Sequence, residues 1–170
     1  MSLWTQFLHE LRQPEYVHVL LNPLPIYGLA VGFLSLVLAW AARSRAAQAV
    51  ALVLLLLTAL AAWPVAHFGR AAYDRVYAMS GTPAQQWLNW HAHLAGWIVW
   101  VYYATAALAA GALLCLWRVP RWHRPALALT LAATLAAIGL GGLLAFAGGK
   151  IRHSEFREGP PPVIVRPESG

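Results

Sequence analysis

Polar residues come in clusters along this chain, and between the clusters the sequence is apolar for about twenty residues at a time. Four such runs cover residues 23–42, 46–66, 94–117 and 126–149. Crossing a hydrocarbon layer of about 30 Å takes about 20 residues of helix. In lipid, only helices and closed barrels satisfy every backbone N–H and C=O, and runs this long and uniform do not alternate as barrel strands do. The pattern predicts an all-α membrane protein, a four-transmembrane-helix up-down bundle over residues 23–149.

The flanking segments have their own periodicity. In residues 1–22, Leu3, Trp4, Phe7, Leu8 and Leu11 recur at helical spacing. That predicts an N-terminal interfacial helix lying flat at the membrane surface, or a helix packed on the bundle. No cleavable signal peptide is expected, because no basic stretch precedes the first run. A short helix in the outer loop is predicted over residues 70–79, with Tyr73, Val76 and Tyr77 on one face and Arg70 paired to Asp74. Thr82-Pro83-Ala84-Gln85 reads as a capping box that starts the third long helix well before its apolar run. Residues 150–170 mix charges and then carry Pro160, Pro161 and Pro162, so an extended periplasmic tail is predicted, disordered or laid along a partner.

Composition narrows the class. Of 170 residues, 60% are hydrophobic and 11% charged, against about 25% charged in soluble domains. A soluble enzyme or a nucleic-acid partner is thereby disfavoured. The net charge of +6 is a topology signal instead. Arg43 and Arg45 lie between the first two runs, and Arg118, Arg121 and Arg124 between the last two, with no acid in either loop. The positive-inside rule places these loops in the cytoplasm and both termini in the periplasm of a bacterial inner membrane. A lone Cys115 excludes an internal disulfide and a CxxCH haem attachment. No Asp or Glu falls within a run, which argues against a proton relay or a transporter of charged substrates. No nucleophile has a partnered base, so no independent catalytic activity is expected.

The histidines sort to one side. Of seven, only His123 falls in an arginine loop, while His9, His18, His67, His91, His93 and His153 fall at or beyond the outer helix ends. Imidazole ligates haem iron and most transition metals, and a bundle holds cofactors between facing helices. The candidate ligands are His91, His153, His67, His93 and His18, for haem b or, less favoured, copper or zinc. His91 and His93 lie about 200° apart around one helix, so at most one faces inward. His91 shares a stripe with Trp87, Leu94 and Ile98, and His93 with Trp90, Trp97 and Trp100. The glycines at 28, 32, 139, 141 and 142 serve close helix packing or make room for a flat cofactor.

Three segments carry a family likeness: His18-Val19-Leu20-Leu21-Asn22-Pro23-Leu24-Pro25, the stretch from Phe68 to Val76 followed by Trp87-Leu88-Asn89-Trp90-His91, and Gly148-Gly149-Lys150-Ile151-Arg152-His153. With them the chain resembles an uncharacterised bacterial family of four-helix membrane proteins, some of which occur with Rieske or cytochrome c electron-transfer domains. The resemblance implies redox company and favours His91 and His153 as ligands. This chain has Asn22 where relatives tend to have histidine. Two functions are expected. One is a membrane electron-transfer protein that binds haem b near the periplasmic face and serves a periplasmic electron carrier. The other is a structural or accessory subunit of a larger respiratory or photosynthetic membrane complex. The lipid bilayer is a partner in both.

Overall fold

The computed structural model describes residues 2–163. It is helical, with no strand among the described residues. The helices are α1 (Leu3–Glu10), α2 (Pro14–Leu21), α3 (Pro23–Ala41), α4 (Arg45–Leu60), α5 (Ala62–Ala78), α6 (Thr82–Arg118) and α7 (His123–Arg152). Two of the junctions barely interrupt the helix. Asn22, between α2 and α3, has helical dihedrals of φ −53° and ψ −35°, and Ala61, between α4 and α5, has φ −60° and ψ −18°. Pro23, Pro25 and Pro64 each lack an N–H, which bends a helix more readily than it ends one when neighbours support both sides.

The result is four rods: Pro14–Ala41, Arg45–Ala78, Thr82–Arg118 and Pro120–Arg152. Each is long and apolar enough to cross a membrane, so this is a multi-pass membrane protein. The shortest, of 28 residues, is about 42 Å long at 1.5 Å per residue. Every rod therefore exceeds the roughly 30 Å hydrocarbon layer. At one end α2 packs on α5, and α2, α5, the first turns of α6 and the last turns of α7 line a common cavity. At the other end the connections are tight. Arg43 turns the chain with a positive φ of 53°, Ser44 caps α4 by accepting from the Ala47 N–H at 3.3 Å, and Arg45 stacks over Trp117 and donates to the Leu116 carbonyl.

The core is a ring of contacts: α3 on α4, α4 on α6, α6 on α7 and α7 on α3. Leu29, Leu36, Leu52, Leu55 and Leu116 are fully buried in it. Gly28 faces Thr58 and Gly32 faces Leu55 so closely that an added Cβ would lie 2.4 and 2.6 Å from those side chains. Close packing thus accounts for both glycines. Gly139 and Gly142 meet nothing within 4 Å, and Gly141 makes room for the Tyr102 hydroxyl. The seam of α6 on α7 is lined by small residues, and its threonines return their hydroxyls to their own helices: Thr105 to the Val101 carbonyl at 2.8 Å, Thr130 to Ala126 at 2.8 Å and Thr134 to Thr130 at 2.7 Å. The outer surface of the rods is apolar, with Val50 70% and Leu38 69% exposed, as a lipid-facing surface requires.

Several local expectations change. The first span begins at Pro14, not Pro23, because the helix continues through the prolines. The outer-loop helix is α5, of 17 residues, and it is continuous with the second span. No Arg70–Asp74 ion pair forms among the described residues; Tyr73 and Tyr77 stack at 5.9 Å instead. The third rod does start at Thr82, but its N-cap is Gly81 with no side-chain cap, and Gln85 donates to the Tyr77 carbonyl at 3.0 Å. Helix α1 buries no residue.

The expected tail is partly folded back. Lys150 and Arg152 belong to α7, a 3-10 turn follows at Ser154–Phe156, and Arg157 donates to the Lys150 and Ile151 carbonyls at 2.6 and 2.7 Å. Trp87 Nε1 donates to the Gly159 carbonyl at 3.3 Å. Residues 164–170 of that tail lie outside the described residues.

Candidate functional site

The surplus ends of the rods enclose a cavity of about 780 Å³, within the usual range for small-molecule and cofactor sites of about 300–1,000 Å³. Its walls come from α2, α3, α5, α6 and α7, with Glu10 at the end of α1. They are mostly apolar, with Ile26, Val65, Ile98 and Leu144 among them and Tyr102 at the α6 wall.

Two histidines meet edge-on in it. His18 projects from α2 and His91 from α6, with ring centroids 6.4 Å apart and ring planes at 86°. His18 Nδ1 lies 2.9 Å from the Val65 carbonyl on α5. His91 Nδ1 lies 3.1 Å from the Leu144 carbonyl on α7. A carbonyl only accepts, so each Nδ1 carries the hydrogen and donates it. In the neutral tautomer this leaves each Nε2 with a free lone pair. Anchoring of this kind orients a ligating imidazole and raises its basicity.

Both rings rest on glycine. A Cβ at Gly69 would lie 3.0 Å from the His18 ring, and one at Gly148 would lie 3.2 Å from the His91 ring. Both contacts are tighter than side chains normally tolerate, so each glycine fixes how close its helix lets the ring come. Gly96 and Gly149 also line the cavity, and a Cβ on either would meet open space.

The other candidates lie elsewhere. His153 follows the last turn of α7, where the backbone turns away at φ −101° and ψ 96°. Its ring is exposed, 3.0 Å from Glu155 and stacked on Phe156. His153 is thus not among the cavity's lining residues, whereas His91 and His18 meet there. His67 is exposed and stacks on Trp63 at 5.6 Å, while its neighbours Val65, Ala66 and Gly69 face the cavity. His93 is exposed and stacks on Trp90 at 6.1 Å, on the face of α6 opposite His91. Asn22 lines the cavity.

His18 had a readable signal. The buried residues of α3 are Pro25, Leu29, Gly32, Leu36 and Ala39. Stepping back seven residues from Pro25 gives His18, on the same stripe, provided the helix is continued through the prolines. Gly69 and Gly148 had no such signal, because what they accommodate lies on other helices.

Lys150 sits beside the site. It is 8% exposed, and its ammonium lies 4.8 Å from the Trp87 ring centroid and 4.6 Å from that of Phe146. Aromatic faces stabilise a cation removed from water. Among the described residues, no group of three or more His, Cys, Asp or Glu is arranged to hold a metal ion. No family model, curated protein or solved structure matches this chain.

Proposed function

We propose that this chain is a membrane electron-transfer protein that binds haem b at its extended end, where His18 and His91 would hold the iron. One observation carries the reading: two imidazoles from different rods line one cavity with ring centroids 6.4 Å apart, and each donates from Nδ1 to a carbonyl, which leaves each Nε2 without a hydrogen.

The residues fit the group. His18 and His91, with ring centroids 6.4 Å apart, would hold one iron between them if bonds of about 2 Å formed to both Nε2 atoms. Zinc and copper sites draw three or four donors from the protein, whereas haem iron, already held by its macrocycle, needs two or fewer. A two-histidine site therefore favours haem over copper or zinc. Bound there, haem supplies one-electron exchange between ferric and ferrous iron. The chain's own residues do the rest. The Val65 and Leu144 carbonyls hold the tautomers, Gly69 and Gly148 set the depth of the rings, and the apolar walls keep water from the centre.

The finer architecture belongs to the same proposal. The rods run up and down, and the arginine loops lie in the cytoplasm. Both termini and the cavity lie on the periplasmic side of a bacterial inner membrane. α1 lies in the outer interface with Leu3 and Trp4 exposed to it. A membrane donor supplies the electrons and a periplasmic carrier takes them. The kinship with the four-helix family that accompanies Rieske and cytochrome c domains is part of this reading.

Absorption spectroscopy of the purified, hemin-supplemented chain tests it. The expected result is a haem spectrum that changes on reduction, is lost in His18→Ala and in His91→Ala, and survives in His153→Ala. A folded chain that takes up no haem overturns the proposal and leaves the accessory-subunit reading in its place.

A further inference from the structure

Two arginines end on this cavity. Arg70 directly follows Gly69, the seat of His18, and Arg152 lies one helical turn beyond Gly148, the seat of His91. Both line the cavity and both are exposed. Among the described residues neither has an ion-pair or side-chain hydrogen-bond partner, unlike Arg75 and Arg157. Arg75 bridges to Glu15 at 2.9 Å and donates to Gln13, and Arg157 is engaged by the α7 carbonyls. The acids on the cavity are Glu10 and Glu15; Glu15 is the one held by Arg75, and Glu10 is exposed at the end of α1.

An apolar hollow with two guanidinium groups that make no ion pair suits a flat apolar ligand bearing two anionic arms. Guanidinium is planar, permanently charged and matched to carboxylate in a two-pronged fashion. Its aliphatic stem lies along apolar walls while its head stays in water. Resting on the haem reading above, we infer that Arg70 and Arg152 are the anion anchors of the cavity, one for each carboxylate of a tetrapyrrole dicarboxylate. The anchors select the charged form of the ligand and set which edge of the macrocycle faces water.

The test titrates the detergent-purified full chain with ferric protoporphyrin IX and, separately, with its dimethyl ester, which is equally flat but lacks the charges. The expected result is tighter binding of the diacid by the wild type. Arg70→Gln and Arg152→Gln should each weaken diacid binding by about tenfold and leave the ester unchanged. The double variant should bind both forms alike. Arg70→Lys with Arg152→Lys keeps the charge without the planar fork and should keep part of the preference. Equal binding of diacid and ester by the wild type overturns the anchors while leaving the haem site standing. Failure to bind either form overturns the haem reading itself. The wild-type comparison needs no variant to fold, and thermal melting of the ligand-free variants checks that they do.

Discussion

A single methyl group separates the residues that shape this site from ones that would block it. Alanine at Gly69 or Gly148 would push its Cβ to 3.0 or 3.2 Å from a histidine ring, and the ring would have to tilt off its carbonyl anchor. Gly69→Ala and Gly148→Ala are expected to leave the fold intact and to lower hemin affinity by about tenfold, read by spectral titration. Gly28→Ala is a different case, because the crowding is inside the bundle, 2.4 Å from Thr58. It should cost about 1–3 kcal/mol of stability, read by thermal or denaturant melting in detergent. Gly142→Ala, which meets nothing within 4 Å, serves as the neutral control. At this scale the sequence shows glycines without distinguishing them. Gly28 and Gly32 sit in a readable GxxxG, whereas Gly69 and Gly148 are explained only by rings arriving from α2 and α6.

Among the elements, the junctions decide most. A proline after a polar residue reads locally as a helix start, which is why the first span was expected at residue 23. The structure carries the helix through Asn22 and Pro23 because α5 supports α2 on its far side, with the Val65 carbonyl fixing His18. That continuation puts His18 on the buried stripe of α3. The C-terminal end of α7 is decided in a similar way. Its last carbonyls would be left without partners, and Arg157 returns from beyond the 3-10 turn to accept that role as donor. Arg157→Ala should therefore fray the last turn. Amide exchange over residues 150–156 is expected to speed up about fivefold, the equivalent of about 1 kcal/mol. Unchanged protection there would show that the turn is held by other contacts, such as the Trp87–Gly159 bond.

For the whole molecule, the decisive quantity is length. The rods are longer than a bilayer is thick, their connections at the arginine end are tight, and the chamber lies among the opposite helix ends. The charge distribution matches this polarity: the five arginines of the two tight loops have no acid among them, and every acid of the chain lies toward the opposite end or in the termini. In a Cys115→Ala background, a cysteine at Ser44 should resist an impermeant thiol reagent in intact cells, and one at Met79 should react readily. The reverse pattern would invert the orientation and place the cavity in the cytoplasm.

Some properties of this protein are set by composition and periodicity, since lipid leaves the backbone few options. The helical class and the four apolar runs follow from the chain read alone, as does the limit that at most one of His91 and His93 faces inward. The partner of His91 does not. A candidate ligand pair spans three or more helices, and its members meet only when bends, glycine seats and carbonyl anchors from separate rods come into register. Local sequence patterns describe one helix at a time and do not separate His153 from His18; the family resemblance favours His153. Packing separated them by turning one out into solvent and folding the other into the chamber.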